Sequence, residues 1–309
     1  MIEVNDIHKR YSNHHVLKGI NFTAPKGHVT GLVGQNGAGK STAIRIIAGF
    51  EDSDSGSVVI NGKKMHINAV ETKSMVGYAP ENAPSYREHT VHEYLSFIAN
   101  IRGLSKVDKK SELERAIDAF SLEKVLSQLI GTLSKGYRHR VSLAQCLLGD
   151  PPVIILDEPT DGLDPIQKIA ARQMILKLAQ SKVILLTTHL LEEVDMLCSR
   201  VVAIRQGKIV YQGSTDEVIK TTTAEDLIHL RLEKCETKYF ESVLRDLPGL
   251  VSLEHNNSEN DTHIKIRLSK SDINRDISNE ISLALQAYNL RIIELYREKP
   301  KLENIFHEY

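Results

Sequence analysis

The chain has 309 residues, 41% apolar and 26% charged, with 39 Lys plus Arg against 40 Asp plus Glu. This length predicts two domains, and the composition excludes a disordered, collagen-like or disulfide-scaffold chain. A net charge of -1 gives no electrostatic reason to expect nucleic acid or an anionic membrane surface as partner. The short basic clusters, Lys109-Lys110 and Arg138-His139-Arg140, read as solvated helix faces. No apolar run approaches the ~18 residues of a membrane span. Residues 1–6 lack the apolar core of a signal peptide. Cys146, Cys198 and Cys235 are scattered, with no metal-ligand spacing. The expectation is a reduced, cytoplasmic protein whose link to any membrane runs through a partner chain.

Residues 29–33 predict a strand, which runs into Gly34-Gln35-Asn36-Gly37-Ala38-Gly39-Lys40-Ser41-Thr42. This run matches the phosphate-binding loop G-x-x-x-x-G-K-[ST], and residues 42–48 predict the helix that must follow it. The glycines let backbone N–H groups turn inward around phosphate oxygens. Lys40 can reach the β- and γ-phosphates of a nucleotide, and Ser41 can offer its hydroxyl to Mg²⁺. The helix N-terminus adds partial positive charge. Residues 58–60 predict another strand. Between 84 and 133 none stands out, and residues 91–102 and 109–120 carry apolar positions three and four apart. They predict an inserted helical subdomain of about residues 84–142. Ser134 opens a further helix, where its hydroxyl and the nearby N–H groups form an anion site.

Residues 153–156 form a continuously apolar strand ending in Asp157-Glu158-Pro159. Acidic residues at a strand end are commonly turn formers. Downstream of a phosphate loop they predict more: Asp157 holding Mg²⁺ through water, and Glu158 polarising the attacking water. Strands at 183–187 and 201–204 follow. The unbroken apolar runs suit a parallel sheet covered on both faces.

At Lys220-Thr221-Thr222-Thr223 the pattern resets. Ile228, Leu230 and Leu232 alternate with polar residues, as do Ile264, Ile266 and Leu268, and both runs read as half-buried strands. Residues 250–253 and 290–295 predict two more strands, with a polar turn at 256–261. Phe240, Val243, Leu244 and Leu247 predict one helix. Ile273, Ile277, Ile281, Ala284 and Tyr288 predict another, and residues 302–307 a short last one. The order βαββαβ fits a small α+β ferredoxin-like domain over residues 220–309. Its 13 Lys plus Arg against 16 Asp plus Glu again give no nucleic-acid footprint.

Residues 133–144, beginning Leu133-Ser134-Lys135-Gly136-Tyr137, resemble the signature segment of ABC ATPases, whose usual form begins LSGGQ. Asp161-Gly162-Leu163-Asp164 resembles that family's D-loop, and His189 stands at the switch-histidine position. Tyr11 stands where the family places an aromatic against adenine. The resemblance covers about residues 1–219. It implies an α/β ABC ATPase domain of the P-loop NTPase class, binding ATP and Mg²⁺. Asn36, Gly37, Ala38, Gly39, Lys40, Ser41 and Thr42 would then hold the nucleotide, with Ser134 and Gly136 contacting a γ-phosphate bound by another subunit. Glu158, His189 and Glu81 would serve catalysis, and Ser41, Asp157 and Glu81 the metal. Glu81 stands where the family usually has Gln, and Lys135, Tyr137 and Gln35 also depart from the common pattern. The Glu81 and Lys-Gly-Tyr variants resemble ATP-binding subunits of two-component exporters of the gliding-motility, multidrug and sodium-export type.

One nucleotide domain implies a homodimer or a dimer with a paralogue. The resemblance also implies a separate transmembrane permease, seated beside Glu81 and residues 84–133, which keeps the chain on the inner face of the membrane. Non-transport ABC ATPases are the alternative. Ribosome-acting types normally carry two nucleotide domains, and DNA-repair types carry long coiled-coil heptads absent here. Iron–sulfur assembly ATPases do not usually need the C-terminal domain.

Overall fold

A computed structural model describes residues 1–81, 86–215, 217, 225–258, 260–269 and 277–297. The chain divides into two compact units, Met1–Thr215 and Asp216–Tyr309.

In the first unit β1 (Ile2–Tyr11) and β2 (His14–Ala24) form an antiparallel hairpin, and β3 (Val29–Val33) starts a different sheet. The phosphate loop leads into α1 (Lys40–Ile47). This helix starts two residues earlier than expected, because the left-handed Gly39 (φ 111°) stands at its N-cap. The first free helical N–H groups therefore fall at Lys40 and Ser41. Strands β4 (Ser55–Ile60) and β5 (Lys63–Met65) extend the hairpin into the order β2-β1-β4-β5. A short helix α2 (Val70–Ser74) precedes β6 (Val76–Ala79).

The expected inserted helices are α3 (Val91–Ile101) and α4 (Lys106–Phe120). Both starts are capped: Thr90 and Glu93 form a capping box, and the Ser105 hydroxyl accepts from the Asp108 N–H. The Ser105 cap explains why α4 begins before residue 109. Helix α5 (Lys135–Leu147) runs past residue 142, so that expected boundary cuts through a helix whose last turns bury Leu143, Ala144 and Leu147.

Next come β7 (Val153–Asp157), α6 (Pro165–Ala179), β8 (Val183–Thr188), α7 (Leu191–Leu197), β9 (Arg200–Arg205) and β10 (Lys208–Ser214). The second sheet has the order β10-β9-β3-β8-β7-β6, parallel throughout except for β10. Every residue of β3, β7 and β8 is buried, the physical reason for their unbroken apolar runs. The two sheets and α1 share one core, in which Ile7, Leu17 and Ile20 join Leu32, Ile44, Ile47, Ile155 and Leu185. The C-terminal ends of β3, β7 and β8 therefore open side by side. In open α/β sheets this is the edge where ligands bind.

The second unit contains β11 (Glu225–Glu233), α8 (Thr237–Leu244), β12 (Leu250–Asn257), β13 (Asp261–Ser269), α9 (Ile277–Ala287) and β14 (Ile292–Arg297). The sheet order is β12-β13-β11-β14, and every neighbouring pair is antiparallel. Ile228, Leu230, Leu232, Phe240, Leu244, Ile264, Ile266, Leu268, Ile281 and Leu285 form its core.

Four local expectations shift. Leu247 falls beyond the end of α8, and Tyr288 beyond the end of α9, where it is exposed; Leu285 fills the buried place instead. Asn256, Asn257 and Asp261 belong to strands, because their backbones continue the β12–β13 and β11–β13 ladders. The last strand starts at Ile292 rather than residue 290. Ile273 and the expected helix at 302–307 lie outside the described residues, as do Lys220, Thr221, Thr222 and Thr223.

Candidate active site

The loop between β3 and α1 is held tight by its surroundings. A Cβ on Gly34 would stand 2.3 Å from the Ile204 carbonyl oxygen, so only glycine lets β9 pass this close. The Ala38 N–H donates to the Gln35 carbonyl at 3.1 Å, closing a turn inside the loop. Ala38 is buried and does not line the cleft, unlike Asn36, Gly37, Gly39, Lys40, Ser41 and Thr42.

These residues form one wall of a cleft of about 500 Å³, closed elsewhere by Tyr11, His14, Val16, Glu81, Glu158, Asp161 and His189. Lys40 lies at its base, 7% exposed, and its ammonium donates to the Gly34 carbonyl at 2.8 Å and the Gln35 carbonyl at 3.4 Å. Burial pushes its pKa below the ordinary lysine value, opposed by the charges of Glu158, Asp157 and Glu81. Tyr11 is half open to solvent, and its hydroxyl donates to Glu51 at 2.6 Å, which steadies the ring at the cleft mouth.

The opposite wall comes from the ends of β7 and β8. Asp157 is buried, and the Thr187 hydroxyl donates to its Oδ1 at 2.5 Å. The parallel register sets this contact by pairing Asp157 with Thr187. Glu158 then takes a left-handed backbone, φ 49°, unusual for a residue with a Cβ. Its N–H donates to the Thr187 carbonyl and hydroxyl at 3.2 and 3.0 Å, which holds the bend. The bend turns the carboxylate over the cleft, with Oε1 4.0 Å from the Lys40 ammonium and Oε2 3.0 Å from Nδ1 of His189. Strained backbone of this kind persists only where its surroundings over-determine it.

Ser134 and Gly136 do not line this cleft. Ser134 is exposed at the N-cap of α5, where its hydroxyl accepts from the Tyr137 N–H at 3.3 Å. Gly136 is buried against α6: a Cβ there would stand 2.5 Å from Oε1 of Gln167. Lys135 lies 3.9 Å from Asp161, which does line the cleft.

Sequence reasoning missed His14, Val16 and Thr187. The first two sit on β2, which carries no motif. Thr187 was legible as a strand residue, but its tie to Asp157 depends on strand register.

The family model for the ABC transporter matches residues 17–161. A Nod factor export ATP-binding protein I from Burkholderia pseudomallei is 33% identical over 230 residues, which span 74% of this chain and 76% of that protein. The chain belongs to the family of ABC transporter ATP-binding proteins. Its ABC cassette is the α/β unit described above, and the chain is an ATP-binding subunit and an ATPase. The linearmycin resistance ATP-binding protein LnrL of Bacillus subtilis is 28% identical over 309 residues, covering 99% of this chain and 97% of that one. The solved structure of an ATP-binding subunit of an ABC transporter superimposes with a TM-score of 0.66 at 32% identity, covering 71% of this chain and 92% of that one. Among the described residues, no helix is long and apolar enough to cross a membrane.

Proposed function

We propose that this ABC subunit binds ATP with Mg²⁺ in the cleft around Lys40 and hydrolyses it between two nucleotide domains, driving export through a separate membrane permease. The observation that carries this reading is the meeting of Glu158, Lys40 and His189 in one cleft. Lys40 neutralises phosphate charge at the base. Tyr11 offers its ring to the adenine at the mouth. Glu158 takes the proton of a water that adds to the γ-phosphorus as the bond to the bridging oxygen breaks. His189 keeps the Glu158 carboxylate aimed.

The donor set fits Mg²⁺. Ser41 and Glu81 bring oxygen ligands to the cleft, and Asp157 is oriented beside it by Thr187. Among the described residues, no three His, Cys, Asp or Glu side chains converge on one point. That suits Mg²⁺, which takes one or two protein oxygens together with phosphate and water. When bound, the ion supplies charge neutralisation on the β- and γ-phosphates.

Two further observations support the partners. Ser134 is exposed and lies outside its own subunit's cleft, so a head-to-tail dimer with itself or a paralogue would bring it to a second nucleotide. A separate apolar groove of about 440 Å³ is lined by Phe50, Val70, Tyr78, Ile98, Ile101 and Arg102, and Phe50, Val70 and Ile101 are largely exposed. It suits a cytoplasmic helix of the permease, which supports a position on the inner membrane face. The Burkholderia relative, a Nod factor export ATP-binding protein, favours export.

Ser134→Arg tests the dimer. Bulk and charge at an exposed N-cap obstruct closure without touching Lys40. Steady-state hydrolysis should fall by at least about 100-fold, on the scale of a lost transition-state contact. ATP binding to the monomer, read by fluorescence titration, should stay within twofold. Loss of monomer binding would place Ser134 in its own site and overturn the dimer reading.

A further inference from the structure

Glu193 is the most buried carboxylate of the ATPase unit, 2% exposed, and no motif of the sequence covers it. It stands on α7, the helix that follows His189. That helix is seven residues long and has no side-chain cap, so little of its own chemistry fixes where it starts. Buried Val194 and Leu197 pack it into the core, and a charged side chain ties it to α6. Arg172 of α6 grips Glu193 as a fork, Nε to Oε2 at 3.0 Å and Nη2 to Oε1 at 2.6 Å. Lys168, one turn earlier on α6, stands 3.6 Å from the same carboxylate. Burial works against the Glu193 charge, yet Arg172 and Lys168 outweigh it and hold the group below the ordinary carboxylate range.

One carboxylate therefore ties two segments together. It belongs to the helix after His189. It grips α6, which begins at the N-cap Asp164, just past Asp161 and Gly162. On α6, Gln167 packs its side-chain amide against Gly136 of the signature helix α5. Moving α7 away from α6 would break the fork.

We propose that Glu193 and Arg172 are positioning residues that set His189 against Glu158. This rests on the reading of Glu158 and His189 given above. The fork acts at a distance. Neither side chain lines the cleft, and the atoms they govern are Nδ1 of His189 and Oε2 of Glu158, 3.0 Å apart.

The test is a double-mutant cycle on the full-length chain, read by single-turnover hydrolysis of radiolabelled ATP. Glu193→Gln keeps the size while removing the charge that Arg172 grips. It should lower the rate about tenfold, within the range of measured couplings between packed sites. Apparent ATP affinity should stay within twofold. In a His189→Ala background the same substitution should cost less than twofold, because the group it positions is gone. Arg172→Lys, which keeps the charge but loses the fork, should reproduce the rate loss with a smaller fall in melting temperature. Equal rate losses from Glu193→Gln in both backgrounds would make the fork merely structural and overturn the proposal. So would an unchanged rate in the single variant. An unchanged rate in His189→Ala alone would instead sink the role given to His189, and this inference with it.

Discussion

Glu158→Gln leaves ATP binding intact and lowers turnover by roughly 10²–10⁴-fold, the scale of lost general-base assistance. The substitution is nearly isosteric, so the bend at φ 49° and the backbone bonds to Thr187 survive it. A glutamine carbonyl can still accept from Nδ1 of His189 where Oε2 does now, at 3.0 Å. What disappears is the ability to take a proton from water. One negative charge also leaves the neighbourhood of the Lys40 ammonium, 4.0 Å away, and of the incoming phosphates. Nucleotide affinity should therefore hold or rise. With hydrolysis blocked and binding preserved, the ATP-bound dimer should accumulate. Size-exclusion chromatography with MgATP should show a dimer for the variant and mainly monomer for the parent chain. Wild-type turnover, or a monomer at high protein concentration, would remove Glu158 from the role of base.

The site was more legible in the sequence than the fold around it, for a physical reason. Phosphate binding needs a strand, a turn of glycines and a helix in immediate succession, so Gly34 to Thr42 carry it within nine consecutive residues. The continuously apolar runs at 153–156 and 183–187 were legible because a strand buried on both faces has no polar alternation. The first sheet was harder. Strands β1 and β2 mix buried Ile7, Leu17 and Ile20 with exposed polar residues through bulges, which blur the period of two. Contacts that depend on register or on distant packing left no local trace. The Thr187–Asp157 bond needs the parallel pairing of two strands 30 positions apart. The Arg172–Glu193 fork needs two helices to meet. Side-chain partners of this kind follow from the assembled tertiary structure and carry no spacing rule.

Lys40→Ala should weaken ATP binding by about 100-fold or more, the scale of a buried charge partner removed from an anion. Among the described residues lining the cleft, Lys40 is the one Lys or Arg side chain, the rest of the phosphate cradle being backbone N–H groups and hydroxyls. Its surroundings are acidic: Glu158, Asp157 and Glu81 all act on it. Without the ammonium, an incoming triphosphate meets carboxylates with only partial charges to oppose them, so the loss exceeds that of one neutral hydrogen bond. The fold should tolerate the change. Lys40 is itself desolvated, which lowers its pKa, so its removal relieves one unfavourable burial while the α1 core at Ile44 and Ile47 stays packed. Lys40→Met, which keeps the apolar stem, separates the two effects. It should match the Ala variant in affinity, while its melting temperature stays closer to that of the parent. Isothermal titration with a slowly hydrolysed ATP analogue reads the affinity, and circular dichroism reads the melting. If both variants bound nucleotide as tightly as the parent, the triphosphate would have to lie elsewhere than against the loop from Gly34 to Thr42.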